Sequence, residues 1–192
     1  MTAQTIGLTS VRSSLLAIGV ALVTASSAFA EQAKVVSNGD TATLSAYDGS
    51  CAVSWVSVSR NTAGSGTDTY MEYSVYDMCV EQYLAYGAGR IANADFKLTK
   101  KTAKVHTDFS FDPNFYFYGA SGRVDLTWTI NPSVSNRYDG TYETKQPDYR
   151  ARQKGTWEYT AAAVNGTIVG KTIENADGGV GTSKSTSVET WR

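Results

Sequence analysis

Thr69–Val80, TYMEYSVYDMCV, is the longest uninterrupted strand pattern in the chain and carries one of its 2 cysteines. Met71, Tyr73, Val75 and Cys79 share a parity that only Asp77 interrupts. Because successive side chains of a strand point to opposite faces, such a set predicts one buried side. The other cysteine opens Cys51–Arg60, CAVSWVSVSR, where Cys51, Val53 and Trp55 share a parity. Each thiol is therefore expected on its strand's apolar face, and the two are expected to meet there as a structural disulfide, Cys51–Cys79. Asn61–Thr67, NTAGSGT, has the composition of a hairpin loop, which makes the two strands antiparallel neighbours with their cysteines at the far end. Val56 and Val58 continue the apolar set one residue out of phase, which predicts a bulge at Trp55-Val56.

The same alternation recurs downstream. Thr102–Phe111 sets Ala103, Val105, Phe109 and Phe111 against Lys104, His106, Asp108 and Ser110. Arg123–Ile130 turns Val124, Leu126, Trp128 and Ile130 inward. Gly87 and Gly89 mark a bend, a bulge or a close backbone approach. Phe115–Tyr118, FYFY, is a short aromatic run. Asp139-Gly140 has the composition of a two-residue turn, and the charged Glu143–Lys154 reads as a long exposed loop. Asn165-Gly166 is the strongest turn signal, joining Thr156–Val164 to Thr167–Glu174 and pairing Ala161 with Gly170 beneath Trp128. Asn175–Ser187 reads as a flexible loop before a closing strand at Val188–Arg192. Nothing longer than a turn has helical periodicity. The fold class expected is all-β, an antiparallel β-sandwich or flattened barrel of about 8–10 strands with one disulfide, formed by residues 31–192 as a single domain.

Residues 1–30 read as a signal peptide. Arg12 is their sole charge, Leu15–Val23 is apolar but too short to span a bilayer, and Ala28-Phe29-Ala30 has the small-x-small cleavage pattern. The chain is expected to be exported, periplasmic or secreted, in the manner of a bacterial export product, with no transmembrane segment in the mature part. Arg12 is one of 17 basic residues, so 16 remain against 18 acidic ones, a formal charge of −2. That balance gives no support to nucleic acid or anionic lipid as a partner.

Chemistry is scarce. The chain has 1 histidine, His106, with Asp108 on the same strand face as an orienting group, but no G-x-S-x-G elbow accompanies it. A histidine metal site is out of reach, and no metal or cofactor is expected. Asp77 interrupts an apolar face, and is read as a strand-end carboxylate accepting loop amides rather than as a buried acid. Gly178–Ser185, GGVGTSKS, has a P-loop outline but carries Ser183 where glycine is required. No catalytic residue is assigned. Among 12 tyrosines, Tyr70, Tyr76, Tyr142 and Tyr149 are the binding candidates, since a phenol offers an apolar face and a polar tip. The expected function is an exported, non-catalytic binding or envelope-associated module recognising a glycan or protein surface. A carboxylate-dependent glycan hydrolase and a small apolar-ligand carrier are the alternatives. A hydrolase needs two carboxylates across a cleft, and a carrier needs an enclosed apolar cavity.

Overall fold

The computed structural model describes residues 31–64, 66–113 and 118–191. The leader at 1–30 and most of the Phe115–Tyr118 run lie outside these residues. Nine strands form one sheet: β1 (Glu31–Tyr47), β2 (Ala52–Ala63), β3 (Gly66–Asp77), β4 (Gln82–Ile91), β5 (Phe96–Leu98), β6 (Thr102–Phe111), β7 (Ala120–Gln146), β8 (Tyr149–Ile168) and β9 (Lys171–Trp191). A short 3-10 turn, Asn93–Asp95, separates β4 from β5. The spatial order is β4-β3-β2-β1-β9-β8-β7-β6-β5, and every pairing is antiparallel. Each strand lies beside its successor except β4 and β5, which form the two edges, and β1 lies beside β9. The sheet is thus a meander curled into a flattened barrel, open along one seam between β4 and the β5–β6 edge. One ladder bond crosses that seam, from the Gly119 amide to the Tyr86 carbonyl at 3.0 Å. Phe111 packs across it over Gly87, where an added Cβ would lie 2.8 Å from the Phe111 Cβ, so close approach explains that glycine.

The interior follows the alternation of the sequence. Leu44, Val56, Val58, Met71, Phe96, Val105, Leu126, Trp128 and Val164 are fully buried in one cluster. Trp128 is the largest of them, and its indole N–H donates to the Thr43 carbonyl at 2.7 Å, so its polar atom is satisfied as it is buried. Gly178 lies against it. A Cβ there would come within 3.1 Å of Trp128 Cδ1, so the glycine-rich Gly178–Gly181 stretch is where β9 makes room for the tryptophan.

β1, β7, β8 and β9 run on past the barrel mouth. From Ala42 to Glu31 and along their paired neighbours they form an extension roughly 35 Å long at about 3.3 Å per residue, flanked by the β2–β3 hairpin as far as Ser37 and four-stranded beyond it. Between the barrel part of β7 and its extension the register shifts from Ile130 to Ser135. Pro132, which has no N–H to give a ladder, sits in that bulge.

Several turns, and the setting of the disulfide, differ from the sequence expectation. Glu143–Lys154 is the end of β7 and the start of β8, joined by a tight turn at Pro147-Asp148, and Asp139-Gly140 is mid-strand. The β8–β9 turn falls at Val169-Gly170, both with positive φ (46° and 77°), rather than at Asn165-Gly166. Gly166 instead pairs with Leu126, whose Cα lies 3.0 Å from where a Cβ would be built. Asn175–Ser187 is part of β9. In β2 the register is continuous, so there is no bulge at Trp55-Val56; Ser54, Val56 and Val58 point inward and Trp55 outward. Cys51 and Cys79 are disulfide-bonded, with Cα atoms 5.6 Å apart. Neither thiol lies on a buried strand face: Cys51 precedes β2, and Cys79 is exposed in the turn after β3. The bridge clamps two connections at the end of the barrel, where the Met78 amide also donates to the Cys51 carbonyl at 2.9 Å.

Candidate functional site

Directly opposed residues of an antiparallel sheet share a face, so the registers map the outer surface row by row. One row runs Arg90, Tyr70, Ser59, Thr41, Gly181, Tyr159, Asn136, and the next runs Asn61, Gly39, Ser183, Trp157, Tyr138. A third is Ala63, Ser37, Ser185, Gly155, Gly140. The surface is therefore a low strip of serine, threonine and glycine on β2, β1 and β9. Aromatic groups stand at its two sides, roughly 19 Å apart at about 4.8 Å per strand.

The first aromatic group, on β7–β9 of the extension, contains Tyr138, Tyr142, Tyr149, Trp157, Tyr159 and Trp191. The Trp157 ring is 5.8 Å from that of Tyr138 and 5.9 Å from that of Tyr142, tilted at 38° and 81°. Glycines provide the seat: a Cβ on Gly155 would come 2.7 Å from Trp157 Cη2, and one on Gly140 3.0 Å from the Tyr138 ring. Tyr138 hydrogen-bonds Tyr142 and thereby raises the pKa of the Tyr142 hydroxyl above the ordinary phenol value. Tyr149 packs on Trp191 at 5.7 Å, near the outer tip. Tyr138, Tyr142, Tyr159 and Trp191 are all exposed.

The second group is on β3–β4. Arg90 Nε donates to the Tyr70 hydroxyl at 2.8 Å, and its guanidinium lies 5.4 Å from the Tyr70 ring centre. Tyr76 meets Tyr83 edge-on at 5.1 Å, and Tyr83 stacks on Tyr86 at 5.0 Å. Burial, with Glu72 and Tyr83 nearby, raises the pKa of Tyr86.

The four candidate tyrosines thus divide. Tyr142 and Tyr149 lie in the first group, Tyr70 and Tyr76 in the second, and Tyr70 and Tyr159 cap opposite ends of one row. Trp157, Tyr159 and Trp191 escaped the sequence reading as binding residues. Their signal was present in the i, i+2 spacing of Gly155, Trp157 and Tyr159 once residues 149–160 are read as a strand.

His106 is held differently from expectation. Its Nδ1 is 3.1 Å from Asp125 Oδ2 across the strand, not bonded to Asp108, and an Arg123 N–H donates to Nε2 at 2.8 Å. Asp108 pairs with Arg123 at 3.5 Å. The nitrogen that would take a proton from a nucleophile is already an acceptor for Arg123. Asp77 accepts the Cys79 and Val80 amides at 2.8 and 3.2 Å, the strand-end role read from the sequence. Cys51, Asp77 and Cys79 are the one cluster among the described residues close enough to hold a metal, but with the sulfurs bonded to each other only a single carboxylate is left to donate.

The open seam forms a groove of about 530 Å³ between the β4 and β6 edges, lined by Arg90, Asp95, Asp108 and Asp112 among others. No helix among the described residues is long and apolar enough to cross a membrane. Comparison with family models, with curated proteins and with solved structures finds no match to this chain.

Proposed function

We propose that the protein is an exported, non-catalytic recognition module that binds a glycan across the outer strip. One observation carries the reading: solvated aromatic rings stand at both sides of a low hydroxyl-rich floor, those of β7–β8 on glycine seats. Keeping tyrosine and tryptophan in water costs burial, and aromatic faces above hydroxyl donors suit sugar rings, which have an apolar side and a polar rim.

The alternatives draw less support. A carrier needs interior space, whereas Trp128, Phe96, Leu44 and Met71 fill the barrel. A hydrolase needs carboxylates free to work in pairs, and Asp40, Asp108 and Asp125 are each engaged with Arg60, Arg123 and His106.

The test is a screen of neutral glycans with the parent chain and with Tyr142→Ala/Trp157→Ala and Tyr70→Ala/Tyr76→Ala. The first pair is expected to lose a hit by at least tenfold, at about 1–3 kcal/mol per aromatic stacking contact, and the second to weaken it. A hit unchanged in both would overturn the reading.

A further inference from the structure

The opposite face of the extension has another composition. Its rows are Asn38, Lys184, Thr156, Asp139; Val36, Thr186, Lys154, Thr141; Lys34, Val188, Arg152, Glu143; and Gln32, Thr190, Arg150, Lys145. Lys34, Arg150, Arg152, Lys154 and Lys184 are exposed there, and none lies within ion-pair distance of a carboxylate among the described residues. The two acids of these rows are occupied elsewhere. Asp139 accepts Thr156 Oγ1 at 2.6 Å and pairs with Arg137 at 3.6 Å, feeling Lys154 only at longer range; Glu143 pairs with Lys145 at 3.2 Å. Arg150, Arg152 and Lys154 follow one another on the same side of β8, roughly 6.6 Å apart at about 3.3 Å per residue. Such a row repels itself, and an anion laid along it relieves the repulsion. At the tip Lys145, Arg150 and Thr190, with Gln146, Pro147 and Tyr149 of the turn and the other face, line a surface concavity of about 450 Å³.

We infer that this face binds an acidic polysaccharide, its carboxylates laid along β8 and its end in the tip concavity. The formal charge of −2 for residues 31–192 conceals the site because the positive charge is confined to one side of one part of the molecule. The composition favours a charged sugar chain over the other polyanions. A single-stranded nucleic acid would be met by successive aromatic platforms beside the cations, and here Tyr149 at the tip concavity is the one ring in reach; the rows along β8 carry none. A membrane surface would be met by apolar anchors, and these rows offer Val36 and Val188 alone. The inference does not depend on the outer strip: Tyr149 of that face reaches the tip concavity, but none of the five exposed cations stands on the outer face.

The experiment measures binding of labelled polygalacturonate to the full chain at about 50 and about 200 mM salt. Five protein cations, each displacing about 0.7 of a condensed counterion from the polyanion, predict a log–log salt slope of about −3.5, and the triple variant Arg150→Gln/Arg152→Gln/Lys154→Gln, keeping two, predicts about −1.4. Its affinity at the lower salt should fall on the order of a hundredfold. Its melting temperature should not fall, because only repulsion has been removed, which separates lost binding from lost fold. Tyr142→Ala/Trp157→Ala should bind polygalacturonate as the parent does while losing any neutral-glycan hit, so the two readings fail separately. The inference is overturned if the triple variant binds like the parent or the aromatic variant loses polygalacturonate equally. It is also overturned if polygalacturonate fails to bind, or if an oligothymidylate or phosphatidylglycerol vesicles bind more tightly.

Discussion

The barrel and its extension are built from the same strands but solve different problems. In the barrel β1, β2, β3, β6, β7 and β8 each turn one face into a dry interior, where Val124, Leu126 and Trp128 meet Val164 and Ile168. In the extension β7 from Ser135 to Gln146 is almost wholly exposed on both sides. There the sheet is held by backbone ladders and cross-strand pairs: Thr156 on Asp139, Trp157 between Tyr138 and Tyr142, and Ser37 on Ser185 at 2.7 Å. Such pairs contribute only about 0.2–1 kcal/mol each, against roughly 1.5–3 kcal/mol for burying one large apolar side chain. Stability resides in the barrel, and the extension keeps both faces of β7 in solvent.

The sharpest way to break that comparison is to truncate one tryptophan from each region. Trp128→Ala removes a fully buried indole and leaves the Thr43 carbonyl without its donor, for an expected loss of about 3–5 kcal/mol in denaturant unfolding. Trp157→Ala removes a half-buried ring over Gly155 and should cost no more than about 1 kcal/mol. Equal losses would mean that the extension belongs to the cooperative core.

The disulfide sharpens the comparison next. It joins residues separated by 28 positions and constrains connections of the barrel alone. Replacing both cysteines with serine should destabilise the fold by about 3–4 kcal/mol on loop-closure entropy, with an unchanged far-ultraviolet spectrum under native conditions. Binding at either face of the extension should be retained at temperatures where the variant is folded. Binding lost in the folded variant would show that the bridge shapes the extension as well.

Legibility in the sequence divides along the same line. β6 was readable to its ends and the barrel half of β7 nearly so, because a strand with one dry face alternates strictly. The bond between Cys51 and Cys79 was readable from export and cysteine number, but its exposed setting was not, since parity was carried past the end of β3 into a turn. Glu143–Lys154 reads as a loop because a strand wet on both faces has no apolar period to detect, and Asn175–Ser187 because its inward positions, Ala176, Gly178 and Val180, are too small and too few to show one. Asn165-Gly166 misled for a different reason: the close approach of β7 at Leu126 demands a glycine there, and close approach has the same residue signature as a turn. The aromatic group was half visible through Tyr142 and Tyr149. Its tryptophans became visible only once register placed them, and the basic face was hidden in the chain's near-neutral sum.

Acid provides the finest distinction. Asp48, beside the disulfide end of the barrel, accepts the Ser50 amide at 3.0 Å, the Ser50 hydroxyl at 2.8 Å and the Ala52 amide at 3.0 Å, and these bonds lower its pKa below 3.8. Asp139 in the extension is lowered likewise by the Thr156 hydroxyl and by Arg137. A carboxylate whose folded pKa is depressed contributes stability that is complete above its unfolded value and is lost as pH falls through the folded one. Both contributions therefore fade below about pH 4. They should fade in different observables. Asp48→Asn should flatten the acid limb of global unfolding, because the turn it organises is part of the clamped barrel. Asp139→Asn should leave that curve alone and flatten only the acid dependence of amide exchange around Arg137 and Glu158, whose backbones the extension can release without opening the core. A change in global acid stability from Asp139→Asn as large as that from Asp48→Asn would show that the two regions unfold as one.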